Sequence, residues 1–386
     1  MLYRLLHWCE TRWIAPAYSS WLMVGLALFF FGAATNTMAG WLYVMSGIML
    51  ALLLLAAFLA PRSLQGIRMT RQPIAPVSMG EPLTITLKLD NQTSTSKSLL
   101  QVEDILPPEL GKSVVQAIDR IPAENSYLWS YGQPTTHRGV YHWQTIALRT
   151  AAPLGLFWCR REQSISAKAI VYPTVLSLSQ CPLIDQMGQN THQQIISAYH
   201  SHAATEGLTR TLRPYRWGDA IRLVHWRTSA RYGELRVREL ETYTGGQSII
   251  IGLDSATQWS APAFEQAVIT AASLYFYVLQ RSLPAQVWTA KTGLVQGDRS
   301  VLETLAAVQF GEARLSQPPP QPLIWISQNP GSLSTLSPGS RWILWQTADS
   351  EQLSAQTPLT LAVQGDRSGL LIHSHESLQS QLQTAP

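Results

Sequence analysis

The chain has 386 residues, 46% of them hydrophobic, with three cysteines and a net charge of +4 at neutral pH. That length accommodates two or three folded units, each able to bury a core. Cys9, Cys159 and Cys181 lie too far apart to make a disulfide framework or a metal knuckle, and so small a net charge does not by itself mark a nucleic-acid-binding protein.

The apolar residues are concentrated at the start. From Trp13 to Pro61 there is no Asp, Glu, Lys, Arg or His, a run of 49 residues. A bilayer span takes about 20 apolar residues in a helix, so the run predicts two spans, over about 14–34 and 41–60, joined by a turn at 35–40. Trp13, Tyr18, Trp21, Trp41 and Tyr43 fall near their ends, where aromatic rings favour the membrane–water interface. Arg4 and Arg12 precede the pair, Arg62, Arg68 and Arg71 follow it, and the turn is uncharged. Basic flanks stay inside, which predicts a multi-pass protein of the plasma (inner) membrane with both termini and all soluble domains cytoplasmic. The second span argues against a cleaved leader. With no ionisable residue in either span, the hairpin reads as an anchor and not as a transport path. Pro61 predicts the end of the second helix.

Residues 62–175 change from apolar runs to alternation. Leu83-Thr84-Ile85-Thr86-Leu87-Lys88-Leu89 has period two and is closed by Asp90-Asn91. Further predicted strands are Leu99–Val102, Val114–Ile118, Tyr127–Tyr131, Gln144–Arg149 and Ala169–Tyr172, with turn signals about every ten residues, the spacing of an all-β immunoglobulin-like sandwich. Gly111-Lys112-Ser113 imitates the end of a phosphate-binding loop, but the required upstream glycine is Leu106, Pro107 and Pro108 break the loop and no helix pattern follows; it reads as a turn.

Residues 176–245 form a linker and an Arg/Trp-rich segment. Between Arg210 and Glu241 there are eight arginines, no lysine and four acids (Asp219, Glu234, Glu239 and Glu241), an excess equal to the net charge of the whole chain. A guanidinium is planar, always charged and suited to forked pairing or ring stacking; Tyr215, Trp217, Trp226 and Tyr232 are interleaved with it here. Asp219 is positioned to cap a helix predicted over Ala220–Arg231, followed by a strand over Leu235–Leu240. Three readings stay open: an arginine–carboxylate network that holds the segment to its neighbours, a docking surface for an anion or a protein, or catalysis on an anionic group through Asp219, Arg222 and His225. Burial of Arg222 and Arg231 against Glu239 and Glu241 favours the first. Nucleic-acid binding is not expected, because the patch is short and half neutralised.

From 246 to 386 strands alternate with helices. Ser248–Asp254 is a near-continuous apolar strand, Ala261–Arg281 a helix with Phe264, Val268, Ala271, Ala272, Tyr275 and Val278 on its inner face, and Gln286–Thr289, Leu323–Ser327, Trp342–Trp345 and Leu370–His373 further strands, with a helix over Ser300–Val308 and a stiff connector at Pro318–Pro322. Such alternation predicts an α/β domain with a mostly parallel sheet. His192, His200, His202, His373 and His375 lack partners at metal-ligand spacing. There is no Gly-x-Ser-x-Gly, His-Glu-x-x-His or dinucleotide fingerprint, so no catalytic or cofactor motif is complete.

The run Tyr215-x-x-Gly218-Asp219-x-x-Arg222-x-x-His225-Trp226-x-x-Ser229-Ala230-Arg231, with Leu235 and Glu239 or Glu241 after it, resembles the signature of the domain-of-unknown-function-58 family of bacterial membrane proteins. Arg138-Gly139-Val140-Tyr141, Pro153-Leu154-Gly155-Leu156-Phe157 and the paired N-terminal helices resemble that family too; Trp217 stands where its members often have Pro. The resemblance implies association with MoxR-type AAA+ ATPases and von Willebrand factor A proteins, and no established reaction. A strand ending in Asp254-Ser255 resembles the first strand of a von Willebrand factor A domain, which holds a divalent metal with Asp-x-Ser-x-Ser; Ala256 and Gln258 supply no hydroxyl here, so a degenerate, metal-free version is expected, with metal-dependent ligand binding at Asp254 as the alternative. The expectation is therefore a multidomain chain: a transmembrane hairpin over 1–61, a β-sandwich over 62–175, the signature segment over 176–245 and a von Willebrand factor A-like domain over 246–386. Its expected role is a non-enzymatic scaffold or adaptor on the bilayer, with a cytoplasmic AAA+ ATPase as partner in envelope or complex assembly.

Overall fold

The computed structural model describes residues 14–185, 187, 208–216, 221–241, 248–346, 369–373 and 376–384. The chain divides into two units, Met1–Pro173 and Thr174–Pro386.

Among the described residues, the first unit begins with a two-residue strand β1 (Ala15–Pro16) and two helices, α1 (Tyr18–Thr37) and α2 (Gly40–Ser63). Both helices are long and apolar enough to cross a membrane. Small residues are buried along both helices at seven-residue spacing: Ser20, Ala27 and Ala34 of α1, and Ser46 and Ala60 on either side of Leu53 of α2. Seven residues are two turns at 3.5 per turn, which keeps a seam facing its partner. Within it the Ser46 hydroxyl donates to the Ala27 carbonyl at 2.9 Å. Outside the seam large apolar side chains stand exposed, Phe29 at 67% and Leu54 at 73% among them, a surface suited to hydrocarbon and not to water. Helix α1 starts at Tyr18, later than predicted, because β1 pairs with a later strand. Pro61 does not end α2, which continues to Ser63; so near the terminus a missing N–H forfeits little.

Eight strands complete the sheets of this unit: β2 (Ile67–Arg71), β3 (Val77–Ser78), β4 (Pro82–Asn91), β5 (Lys97–Asp104), β6 (Val114–Ile121), β7 (Ser126–Pro134), β8 (Gly139–Thr150) and β9 (Phe157–Tyr172). One sheet runs β1-β9-β8-β5-β6, with β3 also on β9; the other runs β2-β4-β7. All pairings are antiparallel except β3 with β9. The predicted alternation of β4 is realised: Leu83, Ile85, Leu87 and Leu89 are buried. Strands of both sheets contribute to shared apolar clusters, one of them containing Leu87, Leu100, Trp129, Ile146 and Cys159. Gly111 sits in a turn at φ +123° that leads into β6.

The hairpin and the sheets are joined directly. Ala15 and Pro16 pair with Trp158 and Phe157, the backbone N–H of Ala17 donates to the Leu156 carbonyl at 2.8 Å, and the hydroxyls of Ser19 and Ser20 donate to the carbonyls of Gly155 and Leu156. The Pro153–Phe157 motif is thus the clasp for the start of α1. At the other end Ala60 and Leu64 of the α2 exit enter the same cluster as Leu87.

Between the sheets lies a charged group with no access to water. The Asp104 carboxylate at the end of β5 is fully buried and accepts from Arg71 (2.7 Å), Tyr131 (2.8 Å) and the indole N–H of Trp143 (3.0 Å). Arg71 also donates to the Ile165 carbonyl of β9 at 2.8 Å and lies 5.0 Å from the Trp143 ring. Burial, followed by the Asp104 charge, pushes the Tyr131 phenol well above its ordinary value. Breaking such a pair from one side leaves an uncompensated buried charge, at about 3–5 kcal/mol. Asp104→Asn is therefore expected to lower the protection of β4 and β5 amides in hydrogen exchange by about that amount; unchanged protection would show the charge to be dispensable.

The second unit contains β10 (Leu208–Pro214), a 3-10 turn (Ile221–Leu223), α3 (Trp226–Tyr232), β11 (Arg236–Glu241), β12 (Ile249–Leu253), α4 (Ala261–Gln280), β13 (Ala285–Thr289), β14 (Gly293–Val295), α5 (Asp298–Ala307), β15 (Leu323–Ser327), β16 (Arg341–Trp345), β17 (Gly369–Ile372) and α6 (Leu378–Gln383). Strands β10 and β11 pair antiparallel. The remaining strands form one sheet in the order β14-β13-β12-β15-β16-β17, parallel throughout except for the edge strand β14. One face packs against α4, whose six predicted inner residues are all buried, and against α5 and α6. The other face carries a row of residues in register, Trp288-Gly252-Trp325-Trp342-Gly369, across β13, β12, β15, β16 and β17. Gly252 is required because the Trp325 ring lies over it: a Cβ there would come within 2.7 Å of Trp325.

Candidate functional site

Polar side chains are held in fixed arrangements at two places, the signature segment and the carboxyl edge of the parallel sheet. In the signature, the helix predicted over Ala220–Arg231 is split. Val224 bridges to Val237 of β11, and the His225 N–H donates to the Arg236 carbonyl at 2.8 Å. The chain is extended at that point, so α3 begins only at Trp226. Its cap is His225 in place of the predicted Asp219: the Thr228 N–H donates to His225 Nδ1 at 3.2 Å, with the Thr228 hydroxyl 2.6 Å from the same nitrogen. Trp217, Gly218 and Asp219 lie outside the described residues, as do His192, His200, His202 and His375.

Ser229 holds α3 to β11. It is buried, accepts from the Arg236 N–H at 2.9 Å and donates to the His225 carbonyl at 3.1 Å. Arg236 faces Pro214 across the hairpin, and both of its backbone groups turn to the start of α3 instead, the N–H to Ser229 and the carbonyl to the His225 N–H. The Tyr215 N–H closes the hairpin on the Leu235 carbonyl at 2.8 Å, and Gly233 ends the helix at φ +73°. Arg222 lies in the 3-10 turn, and Glu239 and Glu241 pair with Thr211 and Leu208 along the strands. Trp226 (62% exposed), Arg227 and Arg231 point to solvent. For Arg231 this departs from the arginine–carboxylate network. Arg236 is tied locally, to Glu234 at 2.8 Å and over the Tyr232 ring at 4.9 Å.

The second place is Asp254, just beyond β12. Its neighbours β13 and β15 lie on opposite sides, so this is where the strand order reverses, the position at which open α/β sheets bind ligands. Asp254 is fully buried; Oδ2 accepts from the Ser327 hydroxyl at 2.9 Å, Oδ1 has no hydrogen bond, and Arg314 approaches Oδ1 at 3.7 Å. Burial raises the Asp254 pKa, against the pull of Ser327, Arg314 and Thr257. The residues do not fit a divalent metal. The Ser255 hydroxyl accepts from the Ala290 N–H, the Thr257 hydroxyl donates to the carbonyl of Asp254 itself, Ala256 packs among apolar residues, and the cation beside the carboxylate is a guanidinium. No cluster of three or more His, Cys, Asp or Glu suited to a metal occurs among the described residues. Sequence reading missed Ser327 and Arg314. Ser327 had a usable signal, a hydroxyl ending the strand beside Asp254, whereas Arg314 stood without pattern before a proline run.

Two outcomes follow. Ser229→Ala strips the Arg236 N–H of its acceptor and is expected to cost about 1–3 kcal/mol, whereas His225→Asn, which keeps a capping acceptor, is expected to leave the melting temperature within a degree or two; thermal unfolding of both variants checks this. For Asp254 the folded pKa lies above the unfolded one, so the protonated form stabilises at low pH and that stability is lost as pH rises from the ordinary carboxylate value through the folded pKa. Asp254→Asn is thus expected to melt higher than the parent at neutral pH, with the gain shrinking toward pH 4; a gain independent of pH would refute the assignment.

No family model matches the chain. The uncharacterized protein YeaD of Bacillus subtilis (strain 168) is 24% identical over 247 residues, which is 61% of this chain and 59% of the relative; the chain thus spans less than two thirds of that relative's length. Among solved structures, a late embryogenesis abundant protein is similar over 32% of this chain and 84% of its own, at 13% identity and a TM-score of 0.21. A CARDB domain from Pyrococcus furiosus is similar over 26% of this chain and 94% of its own, at 8% identity and a TM-score of 0.19. At those scores neither structure bears on fold or function.

Proposed function

We propose that this protein is a membrane-anchored, non-enzymatic scaffold or adaptor, with the exposed side of α3 as its docking surface for a cytoplasmic partner. The observation that carries this reading is the division of labour within 208–241. His225 and Ser229 are spent on fixing α3 to β11, while Trp226, Arg227 and Arg231 are held out to solvent. An exposed tryptophan beside arginines is the composition of an interface hot spot. A catalytic role for His225 is less well supported, because its Nδ1 is engaged in capping. On this reading α1 and α2 cross the bilayer twice, and the basic residues at 4, 12, 62, 68 and 71 place both termini and the soluble units in the cytoplasm. The first unit is then an immunoglobulin-like sandwich, the second a metal-free von Willebrand factor A-like domain, and the chain a member of the domain-of-unknown-function-58 family whose partner is a MoxR-type AAA+ ATPase.

A photo-crosslinking residue beside Trp226, tested in the native host, is expected to capture that ATPase. Trp226→Ala combined with Arg227→Glu and Arg231→Glu is expected to abolish capture with the melting temperature unchanged. Equal capture by the triple variant, or no ATPase captured by the parent, overturns the reading.

A further inference from the structure

Arg314 has a second role besides approaching Asp254. It lines a cavity of about 430 Å³ beneath the tryptophan-bearing face of the sheet, with Gln317, the Pro318–Pro320 run, Trp325 and Leu336 in its walls. That volume lies in the range of small-molecule sites, about 300–1,000 Å³. The lining includes no acidic residue. Two hydroxyls reach it, but both are spent: Thr335 donates to the Ser332 carbonyl at 2.9 Å and Ser337 to the Pro320 carbonyl at 2.7 Å. The side-chain donors left to a guest are the Gln317 amide and the Arg314 guanidinium, whose side chain is 51% exposed. Behind it, the buried Asp254 Oδ1 has no other partner and holds the guanidinium from one side. A guanidinium has five N–H donors in a fixed fork, so contact with Asp254 at one nitrogen leaves the rest for a second anion.

We propose that this cavity binds a small monocarboxylate with an apolar or aromatic body, its carboxylate on Arg314 and its body over the partly exposed Pro318–Pro320 run, with the buried Trp325 and Leu336 as the floor. Arg314 is the tethered cation of this site, so recognition of the acid needs no metal. The site is separate from the α3 surface and stands or falls independently of it.

Benzoate is the probe, titrated calorimetrically into the full chain in nanodiscs, with empty nanodiscs as the blank and benzamide as the uncharged counterpart. Saturable binding of benzoate at one per chain is expected, unchanged by EDTA, with benzamide and Arg314→Gln each weakening it at least about tenfold, the loss expected of a charge-assisted contact. Since Arg314→Gln removes the charge facing a buried carboxylate, the Asp254→Asn/Arg314→Gln double variant keeps the comparison valid: it retains the Ser327 contact without a charge and is expected to fold and still lose benzoate. No saturable binding up to about 10 mM, a millimolar limit that already corresponds to only a few kcal/mol, would overturn the proposal. So would equal affinity for benzamide, retention of benzoate by the folded double variant, or a requirement for Mg²⁺.

Discussion

Asp104 is the constraint around which the first unit is arranged. A carboxylate with no exposed surface must be neutralised and hydrogen-bonded, or it destabilises the fold by several kcal/mol. Its three donors come from β2, β7 and β8, so the group is satisfied only when both sheets are in place and in register. Arg71 extends the demand to β9 through the Ile165 carbonyl. Because β2 follows directly on α2, and β9 carries the strand that starts α1, the same ion pair also fixes where the helical hairpin leaves the sheets. Apolar packing alone tolerates small slips between sheets; a buried charge does not.

In the second unit the organising contrast is between the two faces of one sheet. Helices cover one face with aliphatic contacts. The other is layered with tryptophans seated over glycines and closed by the 3-10 turn Pro330–Thr335 that carries Leu333, and by Leu336 just after it. A single short 3-10 turn covers less of a sheet than long helices do, and the cavity beside Trp325 lies on that side. At the carboxyl edge Asp254 joins the faces, with Ser327 from the neighbouring strand and Arg314 from the loop before the proline run.

What could be read in advance follows from the range of the interactions. The alternation of β4 and the inner face of α4 are local periodicities, legible as they stand. Strand β9 was largely hidden, because the consecutive charges Arg160, Arg161 and Glu162 interrupt its apolar pattern; Arg160 pairs with Glu103 at 3.0 Å and with Glu162 at 3.2 Å. The predicted helix from Ala220 failed for a different reason: the pairing of Val224 with Val237 is a tertiary contact that overrides helix propensity. The Asp104 group joins residues 27 to 39 positions apart, each unremarkable in its own stretch, and no window on the sequence would have assembled it. The signature residues were visible as a pattern, but not the difference between those that staple α3 and those that face outward.

The clasp at Leu156 and Gly155 has a mechanical meaning. Strand pairing, three hydrogen bonds and a shared apolar cluster leave no flexible joint between the helical pair and β9. β9 in turn is laddered to β8 along most of its length. A tilt or rotation of the helices is therefore a tilt or rotation of the sheets, so the hairpin serves as a rigid mast for this unit where a flexible leash would have let it swing. Cutting the chain at residue 62 to obtain a soluble fragment would remove β1 and the Ala60 contact together, and would expose core that the helices now close.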